Sequence, residues 1–206
     1  MGKRSNLRIV GLTGRNASGK GEAAAILKRL GYLYRSLSDM VREEASRRGL
    51  DLARENLITV ANDLRRKEGP GVFAARTVPL LGRGCHVIDS IRHPEEVRIL
   101  RKAGSFFLIA VDAPVELRFE RARKRGRNES AGSLTEFIRM ENLERTNETN
   151  AQQLDATFVF ADCVIANTGT VQELETAILT ALRDRRFPLH SKNDLTEVGS
   201  APTTET

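Results

Sequence analysis

Residues 7–30 read LRIVGLTGRNASGKGEAAAILKRL, a segment that contains an apolar run, a glycine-rich turn and a helical pattern in that order. The first six residues predict a buried strand, and the alanines and leucines after Lys20 recur at helical spacing. Between them, Gly14–Lys20 fits the pattern G-x-x-x-x-G-K, which binds phosphate groups when it joins a strand to a helix. This context favours a nucleotide-binding P-loop over a glycine turn with an incidental lysine.

Strand-like and helix-like segments alternate along the rest of the chain. Further strands are predicted at 32–37, 85–91, 106–111 and 164–166, and helical patterns lie between them. Such alternation favours an α/β fold with three layers, in which helices cover both faces of a five-stranded parallel sheet. Ligands of such folds bind at the carboxyl ends of the strands.

The composition fits one globular domain with a polar end. The chain has 206 residues, of which 40% are apolar and 29% charged, and residues 187–206 lack an apolar period and are predicted to be a disordered tail. The longest strongly apolar run, 106–111, is too short to span a bilayer, and no apolar signal segment follows the amino terminus. Two distant cysteines, Cys85 and Cys163, show no zinc-type spacing, so we predict a cytoplasmic protein without a structural metal.

The charge balance narrows the class of partner. Lysine and arginine exceed aspartate and glutamate by 33 − 27 = 6, which favours phosphates, nucleotides or nucleic acid as partners. Aromatic residues are only 5% of the chain, and they form no RNA-binding motif. Stacking on nucleic-acid bases is therefore not expected.

The residue after the P-loop lysine departs from the common form of the motif. Gly21 and Glu22 follow Lys20, whereas a serine or threonine there would offer its hydroxyl to Mg²⁺. Mg²⁺ could instead be held through water and phosphate oxygens, with Glu22, Asp39 or Asp89 outside. The sequence does not choose among these carboxylates, so no metal ligand is assigned directly.

Several ordered segments beyond the loop also resemble those of known enzymes. They are Gly19–Glu22, Ser38–Arg42, Val87–Pro94, Arg118–Arg121 with Arg125 and Arg127, and Ala161–Asp162 leading to Asn167. Over residues 7–183 the chain resembles the small P-loop kinases of the adenylate kinase and dephospho-CoA kinase group. It is most similar to a little-characterised nucleotide-kinase-like set, related also to the kinase-like part of some deoxycytidylate deaminases. The resemblance implies a P-loop kinase domain over residues 1–186, with a short lid at about 126–133, that uses ATP and Mg²⁺.

The resemblance also implies roles for individual residues. The ATP-binding residues would be Gly14, Arg15, Asn16, Ala17, Ser18, Gly19, Lys20, Gly21, Glu22, Asn167 and Gly169. The acceptor would contact Asp39, Arg42, Asp89 and Arg92, and the catalytic set would be Lys20, Arg121, Arg125, Arg127 and Asp39. Each assignment has a purely structural alternative: an exposed helical turn for Asp39 and Arg42, a helix cap for Asp89, a solvated helix face for the arginines and an ordinary turn for Asn167 and Gly169.

With the P-loop, the resemblance implies an ATP-dependent phosphotransferase whose small phosphorylated acceptor is a (deoxy)nucleoside monophosphate. A phosphate oxygen of such an acceptor is already anionic and needs no base, whereas the ribose hydroxyl of dephospho-CoA would benefit from a carboxylate such as Asp39. The segment Ser38–Arg42 resembles that of the monophosphate kinases more, so dephospho-CoA is the second candidate. A nucleotide-binding regulator with little turnover is the third, because of Gly21. The acceptor's identity and the oligomeric state stay open.

Overall fold

The structure, a computed structural model, describes residues 7–126, 132–144 and 153–189. Its five strands form one parallel sheet with the order β2-β3-β1-β4-β5. The strands are β1 (Leu7–Thr13), β2 (Leu33–Ser36), β3 (Gly84–Asp89), β4 (Ser105–Asp112) and β5 (Cys163–Ala166). This sheet confirms the predicted α/β fold.

Helices surround the sheet. They are α1 (Lys20–Arg29), α2 (Leu37–Arg47), α3 (Arg54–Glu68), α4 (Val72–Thr77), α5 (Pro94–Ala103), α6 (Val115–Lys124), α7 (Leu134–Glu144), α8 (Leu154–Val159) and α9 (Val171–Asp184), with a 3₁₀ turn at Val78–Leu80. The sequence patterns did not predict α8. No helix in the described ranges is long and apolar enough to cross a membrane.

The two faces of the sheet bury separate apolar cores. Val10 and Leu12 of β1 pack with α1 and α9 on one face, and Leu7 and Ile9 pack with α2 to α5 on the other. Alternate residues of a strand point to opposite faces, so a single apolar run supplies both cores. Fully burying each large aliphatic side chain contributes about 1.5–3 kcal/mol. Because β1 is the central strand and supplies such side chains to both cores, it contributes to the stability of both.

The register of the strands brings the predicted motifs to one edge. β1 ends at Thr13, where the P-loop begins, and neighbouring β3 ends at Asp89. The segment after β3 is tied to β1, because the amide of Ile91 donates to the carbonyl of Leu12 (3.1 Å) and the Thr13 hydroxyl donates to the carbonyl of Ile91 (2.8 Å). Asp89 and Arg92 therefore lie beside the P-loop.

The carboxyl-terminal end of the described chain packs against the sheet. Phe187 is buried beside Phe107, and the Tyr32 hydroxyl donates to the carbonyl of Pro188 at 2.9 Å. Packed chain thus continues three residues beyond the predicted domain boundary. Residues 190–206 of the predicted tail, and 127–131 of the predicted lid with Arg127, lie outside the described residues.

Candidate functional site

The P-loop adopts a conformation that requires its two glycines. Gly14 and Gly19 have φ values of 151° and 108°, a region that side chains with a Cβ rarely adopt. A Cβ on Gly14 would lie 2.2 Å from the carbonyl oxygen of Val111, and one on Gly19 would lie 2.0 Å from Nδ2 of Asn167. The sequence motif is therefore matched by the backbone shape that a phosphate-binding loop needs.

Lys20 begins α1, and its ammonium lies over the loop. Nζ donates to the carbonyls of Gly14 (2.7 Å) and Arg15 (2.9 Å). Burial lowers the pKa of Lys20 to about 8; nearby Asp89 opposes this shift, and the charges of Arg92, Arg125 and Arg118 add to it. A cation that has lost its water among other cations is prepared to bind an anion.

A cleft with a volume of about 1180 Å³ extends from the P-loop along α2 and α3. Pockets for one small ligand measure about 300–1,000 Å³, so this cleft has room for a nucleotide and a second molecule. Most of the predicted site residues line it, namely Gly14, Arg15, Asn16, Ala17, Gly19, Lys20, Gly21, Glu22, Arg42, Asp89, Arg92 and Arg125. Five described ones do not: Ser18, Asp39, Arg121, Asn167 and Gly169.

Asp39 and Arg42 lie together on the first turns of α2. Nη1 of Arg42 donates to the Asp39 carboxylate (2.9 Å) and to the Ser38 hydroxyl (2.8 Å). The Asp39 side chain is 54% exposed, and its carboxylate contacts the arginine. The structure thus brings Arg42 to the cleft, whereas Asp39 fits a residue that orients Arg42.

Asp89 lines the cleft at the carboxyl end of β3. It is 8% exposed and accepts a hydrogen bond from the Tyr34 hydroxyl at 3.4 Å. Burial and the Asp89 charge raise the pKa of Tyr34. The Asp89 carboxylate also lies near the Lys20 ammonium, since its charge opposes the lowering of that lysine's pKa by burial.

One face of α3 forms much of the cleft wall, although no sequence motif assigned it to the site. Its cleft-lining residues are Arg54, Leu57, Ile58, Ala61, Asn62 and Arg65. They recur every three or four residues, which places them on one side of the helix. This spacing was visible in the sequence, but an arginine at each end of a mostly apolar face gave no sign that the face borders a cleft.

Buried polar contacts hold the back of the P-loop. Arg118 is 4% exposed; it forms a two-pronged ion pair with Glu141 and donates to the carbonyls of Ala113 (2.9 Å) and Asn16 (3.3 Å). Nδ2 of Asn167 donates to the carbonyl of Ser18 at 2.9 Å. The structure therefore places Asn167, predicted to bind ATP, against the loop backbone.

Arg15 connects the loop to α8, the helix that the patterns missed. Its guanidinium contacts the carboxylates of Asp155 (2.8 Å) and Asp112 (3.4 Å) and lies over the Phe158 ring at 5.4 Å. Gly169 follows β5, and a Cβ there would come within 1.9 Å of the Glu173 carboxylate. That carboxylate caps α9 with Thr170, which gives Gly169 a structural reason of its own.

Comparison with known sequences places the chain in a family. The family described as AAA domain matches residues 10–146. A UPF0200 protein of Pyrococcus horikoshii is 34% identical over 178 residues, which are 82% of this chain and 93% of that protein. The chain belongs to the UPF0200 family. A UPF0200/UPF0201 protein of Archaeoglobus fulgidus is also 34% identical, over 93% of this chain, but the chain spans only 61% of that longer relative.

Solved structures similar to this UPF0200 chain include P-loop kinases. TT1252 from Thermus thermophilus has a TM-score of 0.58 at 19% identity and covers 87% of this chain and 98% of its own. The shikimate kinase of Acinetobacter baumannii, solved with shikimate, has a TM-score of 0.55 at 16% identity over 88% and 96%. The APS kinase CysC of Mycobacterium tuberculosis, solved with AMPPNP and APS, gives 0.52 at 16% over 87% and 99%. They establish a P-loop kinase-like fold; the relation to deoxycytidylate deaminases stays a prediction.

The low pKa of Lys20 predicts a pH dependence of nucleotide binding by this UPF0200 chain. Phosphate charges raise the pKa of the lysine, so binding above pH 8 requires uptake of a proton. We expect the Kd of Mg-ATP to rise about tenfold from pH 7 to pH 9, measured by calorimetry. Lys20→Arg, which keeps its charge over this range, should show a nearly flat profile; a tenfold change in that variant as well would contradict the assignment to Lys20.

Proposed function

We propose that this chain transfers the γ-phosphoryl group of ATP to a small phosphorylated acceptor, most simply a (deoxy)nucleoside monophosphate. One observation carries the proposal: a single cleft joins the P-loop and Lys20 to a wall that presents Arg42, Arg65 and Arg92. ATP would occupy the loop end, and the acceptor's phosphate would occupy the arginine end. Two anions held in one cleft beside Lys20 would be placed as the substrates of a phosphotransferase are.

Positioning and charge stabilisation would supply most of the catalysis. The amides of the loop and Lys20 would hold the β- and γ-phosphates, and Arg125 at the cleft would offset charge that spreads over the transferring group. Arg121 lies next to it, and burial together with the Arg125 charge lowers the pKa of Arg121. An anion near both guanidiniums would relieve their repulsion, which supports the assignment of both to the transferring phosphoryl group; Arg127, outside the described residues, keeps its proposed role from the sequence alone.

Mg²⁺ fits the carboxylates present, although they do not form a site of their own. No group of three or more His, Cys, Asp or Glu side chains in the described ranges could hold a metal. Asp89 and Glu22 line the cleft, and either could hold hydrated Mg²⁺ against nucleotide phosphates. When bound, Mg²⁺ neutralises phosphate charge during transfer. Gly21 offers no hydroxyl to the metal. We therefore assign the contact with the water shell of Mg²⁺ to Asp89, the more buried of the two carboxylates.

The position of Asp39 favours a monophosphate acceptor over dephospho-CoA. A ribose hydroxyl would gain from a carboxylate base within hydrogen-bond reach, and Asp39 is the candidate that the sequence offers without assigning it. Its carboxylate contacts Arg42, and Asp39 itself does not line the cleft. Asp39 is thus not placed to act as a base at the acceptor end, and a monophosphate needs none.

A cytoplasmic location also stays part of the proposal. It rests on the spacing of Cys85 and Cys163.

An acceptor screen tests the proposed function. The protein is incubated with Mg-ATP and with each ribo- or deoxyribonucleoside monophosphate or dephospho-CoA, and both ADP and the phosphorylated product are measured. We expect ADP formation that depends on one class of monophosphate, with equal amounts of diphosphate product. Acceptor-independent hydrolysis, or tight ATP binding without turnover, would contradict the proposal and favour the regulator; a 3′-phosphorylated CoA product would favour the alternative kinase.

A further inference from the structure

Arg65 is a buried cation in the wall of the cleft. None of the sequence motifs includes this residue. The residue is 4% exposed and lines the acceptor side of the cleft near the carboxyl-terminal end of α3. Within the part of the chain that the structure describes, no hydrogen-bond acceptor reaches its Nε. A buried N–H group without a partner is costly and rare in a folded protein, so its presence needs an explanation.

A carboxylate and an aromatic ring fix the position of this guanidinium. Oε1 of Glu96 lies 3.6 Å from Nη2 of Arg65, and the guanidinium lies over the Phe73 ring at 5.0 Å. Glu96 is itself fully buried, and its other oxygen accepts hydrogen bonds from the amides of Arg92 (2.7 Å) and His93 (3.1 Å). One carboxylate therefore positions Arg65 and the backbone of Arg92 at the same time.

The pair with Glu96 does not by itself account for burying Arg65. At 3.6 Å the contact is longer than a hydrogen bond, and Oε1 of Glu96 has no hydrogen-bond partner among the described residues. A buried ion pair offsets its desolvation only when the geometry is good and the remaining donors are satisfied. A guanidinium has five N–H donors in a planar fork that matches a phosphate or carboxylate. Arg65 lines the cleft, so an anion bound there would accept from the terminal nitrogens of this fork.

We propose that Arg65 binds the anionic group of the acceptor from the α3 side while Arg92 binds it from the β3 side, and that Glu96 is the positioning residue for both. The inference rests on the proposed function for the identity of that anion as the acceptor's phosphate. The rest of the α3 face would contact the body of the acceptor, because Leu57, Ile58 and Ala61 are apolar and Asn62 offers an amide. The acceptor would thus have an anionic group at one end and, beside it, a largely apolar part that carries at least one hydrogen-bonding group.

Binding experiments in the absence of turnover test this role directly. The P-loop is first saturated with Mg-AMPPNP, so that added anions report on the acceptor end. The protein is then titrated with inorganic phosphate and with AMP, CMP, GMP and UMP, each beside its nucleoside. In the wild type we expect at least one monophosphate to bind more tightly than its nucleoside. Arg65→Met should remove most of that difference, roughly 10- to 100-fold, as expected for lost charge-assisted hydrogen bonds.

Two further variants separate binding from folding. Arg66→Met removes the same charge from the neighbouring position of α3, where the side chain is exposed, and should bind all probes as the wild type does. Arg65→Lys keeps a buried cation but lacks the planar fork. It should lose about tenfold in phosphate affinity while its affinity for AMPPNP and its thermal midpoint stay close to those of the wild type, and it serves where the methionine variant does not fold.

The outcomes distinguish this inference from the proposed function. Equal anion affinity in folded wild type, Arg65→Met and Arg65→Lys would overturn it, as would a wild type that binds no anion once AMPPNP fills the P-loop. Loss of anion affinity in the Arg65 variants of a protein that transfers no phosphoryl group would leave the Arg65 site in place and refute the kinase. Phosphoryl transfer that does not change in the Arg65 variants would refute the Arg65 site and leave the kinase in place.

Discussion

Lys20→Met is expected to lower kcat/KM for phosphoryl transfer by about 10³-fold or more, without lowering the thermal midpoint. The loss follows from removing a cation aimed at the charge that develops on the phosphates; single groups of this kind contribute about 10² to 10⁵ in rate. Stability should not fall, because burial lowers the pKa of Lys20 to about 8. A base whose pKa is lower in the folded state destabilises that state wherever it is protonated, and at pH 7 it is protonated.

Lys102→Met is the matched control for this prediction. Lys102 is exposed at the end of α5, so its loss changes the net charge equally without touching the cleft. Steady-state kinetics on the acceptor found by screening, together with thermal unfolding at pH 7, measure both parts of the prediction. Lys20→Met activity within tenfold of the Lys102 control, or a clear drop in its midpoint, would show that Lys20 is a structural residue.

Local patterns predicted the sheet and the P-loop because neighbouring residues determine them. The apolar run of β1, the two glycines of the loop and the helical period of α1 lie in one continuous segment, and the backbone adopts the conformation that each implies. Asp89 ends β3 and lines the cleft, as expected where parallel strands end at one edge, whereas its role in binding a ligand stays a prediction. These features require no knowledge of distant segments.

Contacts between distant segments could not be predicted in this way. Arg65 belongs to a polar run with Arg66 and Lys67, and only packing against Phe73 and Glu96 shows that it is buried. The six-residue helix α8 is too short to show a period. Arg118 likewise resembles the other arginines of α6, although its charge is paired inside the protein and theirs are not so deeply buried.

Arg118→Met is expected to lower the free energy of unfolding by about 3 kcal/mol, at the lower end of the range for breaking a buried ion pair. The variant would leave the Glu141 carboxylate, which is 16% exposed, without its cation. It would also remove the donors to the carbonyls of Asn16 and Ala113. Denaturant unfolding measures the change, and Lys124→Met, exposed on the same helix, should change the free energy by less than about 0.5 kcal/mol.

A double-mutant cycle with Glu141→Gln shows whether the ion pair carries this effect. If it does, the two substitutions together should cost clearly less than the sum of their separate costs, because each alone leaves a charge unpaired. Additive costs would mean that Arg118 acts through the Asn16 and Ala113 carbonyls alone. In either case the Kd of ATP should rise, since the backbone of Asn16 belongs to the P-loop. Wild-type ATP affinity in a destabilised Arg118→Met protein would contradict that connection and restrict Arg118 to joining α6 with α7.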